Sequence, residues 1–212
     1  MPQAAERKAL EKGLQKLNEN MVTLAELAEL SIRKAVDGLT RLDPEVAQEV
    51  FTLDQEVYGL QLEIERTCID LLALHAPVAR DLRTITTSLK ITTDLDRIGR
   101  YGKDLSELTL QFRDRHIVER ADVARIQEMA DRTITMVDTA IEAFVHRNAE
   151  SVRNIIEVDD DLLVNRYFER IADHAVNIGL RVVYMVTGDW LPRVRAADRA
   201  KRRDEGSSKS TP

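Results

Sequence analysis

Apolar residues recur every three to four positions along almost the whole chain, the spacing that gathers them on one face of an α-helix. The first periodic segment runs from about Ala4 to Leu42 and stops at Leu42-Asp43-Pro44. Pro44 blocks continuation, and Asp43 suits the cap of a second helix that holds Pro44 in its first turn. That helix reaches about His75. "HAPVARDLR" then breaks the chain at Pro77 and opens a third helix, to about Arg113. The charged stretch "RDRHIVERAD" separates it from a fourth, Asp122 to His146. After the turn "HRNAES" the pattern resumes and continues to Thr187. There Gly188 suits a left-handed cap and Pro192 prevents resumption. The pattern predicts an all-α protein.

The chain also repeats itself. Shifted by 105 residues, "AVDGLTRLDPEVAQEVFTLDQEV" (Ala35 to Val57) lies over "AIEAFVHRNAESVRNIIEVDDDL" (Ala140 to Leu162), with Glu45 on Glu150 and Asp54 on Asp159. Shifted by 73, "LDRIGRYGKDL" (Leu95 to Leu105) lies over "FERIADHAVNI" (Phe168 to Ile178). The two offsets differ by 32, so the second copy lacks about 32 residues, joined near Leu162 and corresponding to roughly Tyr58 to Leu89. The expected organisation is a first three-helix repeat over 1–115, an incomplete second repeat over 116–188 and a basic tail over 189–212. Between Ser151 and Thr187 there is no Pro and only Gly179, so the two half-helices are expected to fuse into one helix of about 36 residues, about 54 Å long. Such a helix could not close a second bundle alone. Either a partner chain completes it, as in a homodimer, or the natural protein carries residues there that this sequence lacks.

Composition agrees with long helices. Of 212 residues, 43% are hydrophobic but only 4% aromatic, with 8 Gly and 5 Pro, so the core is aliphatic and turns are few. A net charge of −6 argues against nucleic acid as a partner. The tail from Asp189 carries seven Lys/Arg and four Asp/Glu, which leaves −9 on the remainder. The tail reads as a solvated, disordered segment; contact with acidic lipid or an acidic partner is the lesser alternative. No run approaches the length of a membrane span and no apolar leader is present, so a cytoplasmic location is expected, with membrane contact only through partners. The single cysteine, Cys68, is expected in the core.

Few residue patterns carry chemistry. Glu169, Asp173 and Asn177 recur every four residues and form one polar stripe. Beside it runs an apolar face of Phe168, Ile171, Ala172, Ala175, Ile178 and Val182. Hard oxygen ligands on one face can hold a cation, though a solvated stripe has the same look. His174 is expected at the edge of the core. No HExxH, ExxH or phosphate loop is present, and no nucleophile–base order stands out, so no enzyme is expected. Gly99 and Gly102 are expected to let helices approach closely.

These residues resemble the PhoU family of phosphate-uptake regulators. "ERIADHAVNI" with the closing "VVYMVTG", and "APVARDLRTITTSLKITTDLDRIG" in the first copy, are similar to that family's duplicated acidic motifs and Pro-Val-Ala, Asp-Leu-Arg stretch. The resemblance covers about Leu17 to Gly188. It implies two tandem three-helix bundles and regulation of phosphate uptake and phosphate-starvation signalling. The partners it implies are the ATP-binding subunit of a phosphate ABC transporter and a sensor histidine kinase. The alternative is a helical scaffold unrelated to phosphate. The family's motif carboxylates bind iron or zinc, which implies Glu169, Asp173, Asn177 and Asp159 as ligands here. On one fused helix, however, Asp159 would stand about 15 Å from Glu169. In the first copy the matching positions are Asp96, Arg100 and Asp104. An arginine replaces the central carboxylate, pairs with both aspartates four residues away, and is expected to stand in for a metal.

Overall fold

The computed structural model describes residues 2–112, 120–152, 155 and 166–190. Five helices make up the described core: α1 (Pro2–Arg41), α2 (Pro44–His75), α3 (Ala79–Phe112), α4 (Arg120–Val145) and α5 (Arg166–Thr187). The expected all-α architecture holds, and no strand occurs among the described residues. The breaks come where the sequence places them. Asp43 is in extended conformation and its carboxylate accepts from Glu45 N–H at 2.9 Å and Val46 N–H at 3.2 Å, with Pro44 opening α2. Gly188 takes φ 86° and its N–H closes α5 on Tyr184 O at 2.8 Å.

Helices α1, α2 and α3 pack on one another as the first bundle; α4 and α5 pack together; and the halves join through α1 against α4 and α3 against α5. One aliphatic core runs through both halves. The whole expected apolar face of α5 is sealed from solvent: Phe168, Ile171, Ala172, Ala175, Ile178 and Val182. Each large member contributes about 1.5–3 kcal/mol by burial. Cys68 is also buried, and its thiol is pushed up to about 12 by desolvation and by Glu65. Gly102 marks the closest approach in the first bundle. A methyl there would lie 2.3 Å from Ser31 Oγ and 2.9 Å from Ser31 O, while Ser31 Oγ–H donates to Gly99 O at 3.0 Å.

One expectation fails. A single helix from Ser151 to Thr187 would hold Val152 and Gly179 about 40 Å apart. Instead Val152 and Ile155 pack on Gly179; a methyl on that glycine would come 2.8 Å from Val152 Cγ1 and 3.5 Å from Ile155 Cδ1. The segments on either side of 156–165 therefore lie side by side rather than in line. Asp159, the tail from Leu191 onward and the linker over 113–119 lie outside the described residues.

Candidate functional site

Helix α5 presents Glu169 and Asp173 exposed and Asn177 half-buried, on the flank of its sealed apolar face. The stripe is real, but it gathers no further carboxylate: among the described residues no three His, Cys, Asp or Glu side chains come together in a way that could hold a metal. Two carboxylates and one amide fall short of the six to eight or the octahedral oxygen sets that hard cations take. The fourth expected ligand, Asp159, is outside the described residues.

Directly behind the stripe lies a buried polar junction that joins the two repeats. Asp94 of α3 is almost wholly buried. Its Oδ1 takes His174 Nδ1 at 2.9 Å, and its Oδ2 lies 2.9 Å from Arg181 Nε, an ionic contact off the hydrogen-bond direction. An ionised Asp94 can only accept, so the His174 Nδ1–H is the donor. Tyr101 covers the pair, its ring 6.0 Å from the His174 ring and 6.3 Å from Tyr167. The hydroxyl of Tyr101 also meets the exposed Arg170 guanidinium, whose proton affinity it raises. Tyr101 and His174 occupy matching positions of the two copies, so the repeats meet nearly face to face here. His174 thus packs at the core edge as expected. Asp94, 80 residues away, had no local marker; its counterpart in the second copy is Tyr167.

The equivalent place in the first repeat is filled by cations from the chain itself. Arg100 Nε lies 3.2 Å from Asp96 Oδ2, as the spacing predicts. The expected second pairing, to Asp104, is absent from the ion pairs of the described residues. Asp104 instead sits near Glu107, Lys103 and Arg170. The side chain that reaches inward is Lys103, whose ammonium lies 3.2 Å from the buried Asp54 carboxylate and 5.8 Å from the Phe51 ring centre. Asp96 is held above the usual carboxylate range, first by desolvation and then by Asp54, against the pull of Arg100. Burial likewise raises Asp104, with Glu107 adding to it. The arrangement does not fit a metal: Lys103 and Arg100 already neutralise the carboxylates a cation would use.

A third acidic group lies where α1 meets α4. Glu29 faces Asp138 in a 220 Å³ recess also lined by Glu26, Glu142 and His146. Desolvation and the carboxyl–carboxylate hydrogen bond raise Glu29 to about 8.

Comparison with known proteins places this geometry. The family model described as PhoU domain matches residues 21–109 and 126–163. The phosphate-specific transport system accessory protein PhoU homolog of Clostridium acetobutylicum is 28% identical, over 86% of this chain and 96% of that protein. The Synechocystis homolog of the same description is 29% identical, over 86% and 93%. The crystal structure of PhoU from Pseudomonas aeruginosa has the same fold, with a TM-score of 0.77 at 24% identity over 84% of this chain and 99% of that one. That of the phosphate transport system regulatory protein PhoU from Streptococcus pneumoniae gives 0.74 at 23% identity. The Clostridium alignment spans 214 positions yet takes in 86% of 212 residues, about 182, which leaves roughly 32 positions without a counterpart here. The chain belongs to the PhoU family.

Proposed function

We propose that this chain regulates phosphate uptake and phosphate-starvation signalling by binding proteins of the phosphate transport system, not by catalysis. The observation that carries this reading is the near full-length alignment with proteins described as accessory to that system. The architecture suits the role: α1 to α5 expose long charged faces over one continuous core, a surface fitted to docking. No helix of the described residues is long and apolar enough to cross a membrane. We place the chain on the cytoplasmic side, reaching the membrane only through its partners. We assign those partners to the transporter's ATP-binding subunit and a sensor histidine kinase. Purified chain should bind each in surface-immobilised assays. Failure to bind either, with the partners shown to be folded by nucleotide binding, would leave the helical-scaffold alternative.

The same reading carries a metal site in the second repeat only. Iron or zinc at Glu169, Asp173 and Asn177 needs a further donor, and Asp159 is the residue we assign to it. Elemental analysis of native protein should find metal that a Glu169→Ala, Asp173→Ala variant lacks. Equal, trace metal in both would remove the site.

A further inference from the structure

At one end of the molecule the α2–α3 turn, the start of α3 and the last turns of α4 and α5 meet, and four arginines gather around one carboxylate. Asp81, buried, takes Arg7 Nη1 at 2.7 Å and has Arg80 Nε at 3.9 Å; Arg7 is engaged a second time by Glu11 at 2.9 Å. Arg83 donates from Nε to Met185 O at 3.2 Å, at the carbonyl end of α5. Arg147 donates from Nη2 to Thr84 Oγ1 at 2.8 Å. Thr84 adjoins Arg83 and lies one helical turn beyond Arg80, so that bond brings Arg147 beside both. Neither Arg83 nor Arg147 has an ion pair with a carboxylate of the described residues.

This crowding is imposed on Arg147. Its guanidinium is held below its ordinary proton affinity by burial and then by Arg80, with Arg83 adding and Asp81 opposing. Its backbone is also in the left-handed region, φ 53°, at the position after α4 where Asn148 N–H returns to Ala143 O at 2.9 Å. Glycine fills such a position at no steric cost, whereas a branched residue is strained there. Ala79, at the opposite wall, is also left-handed at φ 43°. The one carboxylate that opposes this crowding, Asp81, is shared with Arg7 and Arg80, so three guanidinium groups crowd a single negative charge.

We propose that Arg80, Arg83 and Arg147 form a binding site for a multiply charged oxyanion of the phosphate class. Guanidinium forks match the edges of such an ion. Free phosphate and a phosphoryl group carried on a larger molecule share this chemistry. The site does not depend on the regulatory reading, because binding is measured on the isolated chain.

The test is titration calorimetry of the full chain with inorganic phosphate and with phenyl phosphate, at matched ionic strength in chloride. Two variants accompany it. Arg80→Gln removes an exposed side chain, and Arg147→Gly relieves the left-handed strain, so each should fold and Arg147→Gly should melt no lower than the parent. The expected result is saturable binding, weakened about tenfold or more by each variant. Phosphate bound without phenyl phosphate assigns the site to the free ion; both bound equally assigns it to a phosphoryl group on a larger molecule. Heat from neither anion, or equal affinity in parent and variants, overturns the proposal.

Discussion

The two repeats align residue for residue over the inner turns of α3 and α5, yet they treat their acidic positions oppositely. In α3, Asp96 is buried near Asp54, and the chain supplies Arg100 and Lys103 to meet them. In α5 the matching Glu169 and Asp173 stand in solvent, and Val176, in place of Lys103, is core. Gly99 and Gly102 of α3 face Ala172 and Ala175 of α5 in the alignment, so the first bundle is drawn tighter at this level. Close approach buries carboxylates, and a buried carboxylate needs a cation on hand, whereas an exposed one is served by water. One duplicated motif has thus become a self-neutralised structural element in one half and an open acidic surface in the other.

The largest way to break that comparison is Gly102→Ala. The added methyl meets the Ser31 backbone, and the chain should lose about 3 kcal/mol in denaturant unfolding, against about 1 kcal/mol for Ala175→Gly at the matching site. Equal losses would mean the bundles are equally tight. Next is Asp94→Ala, which strands His174 and Arg181 at the junction; a loss of about 2 kcal/mol is expected from the same measurement.

The α1–α4 contact gives a pH signature. Glu29 sits at about 8 when folded, above the ordinary 4.5, so the folded chain keeps a proton that the unfolded chain has released between those values. Its contribution is complete below about 4.5, declines as pH rises, and is gone above about 8. Because the pair is partly open to water, the loss between pH 5 and 8.5 should be about 1–2 kcal/mol, and Glu29→Gln should flatten it. Smallest of all, Glu169→Ala and Asp173→Ala should each change metal-free stability by less than about 0.5 kcal/mol. By contrast Asp54→Ala, which strands Lys103, should cost about 1 kcal/mol.

Much of this was legible in the sequence because the determinants are local. Asp43-Pro44, Pro77 and Gly188 fix helix ends through their own backbone chemistry, and the sealed face of α5 follows from 3.6-residue periodicity. The Arg100–Asp96 pair is an i, i+4 contact and was readable for the same reason. What escaped depends on distant partners. No Pro or Gly in the sequence between Ile155 and Arg166 argues against one continuous helix; only the packing of Val152 and Ile155 on Gly179 does. Lys103 could be placed on Asp54 only once α2 and α3 were set side by side, and Asp94 on His174 only once the repeats were docked. The arginine end is assembled from four helices and has no sequence motif of its own beyond Asp81-Leu82-Arg83.

The central proposal is that this chain regulates phosphate uptake, and that it does so by restraining it. Its most direct test is the rate of labelled phosphate uptake by host cells grown in excess phosphate, with the gene deleted and then restored. Deletion should raise uptake, together with transcripts of the phosphate-starvation genes, and the restored full chain should bring both back to the parental level. Uptake and transcripts unmoved by deletion would contradict the account and leave a helical scaffold with no part in phosphate control.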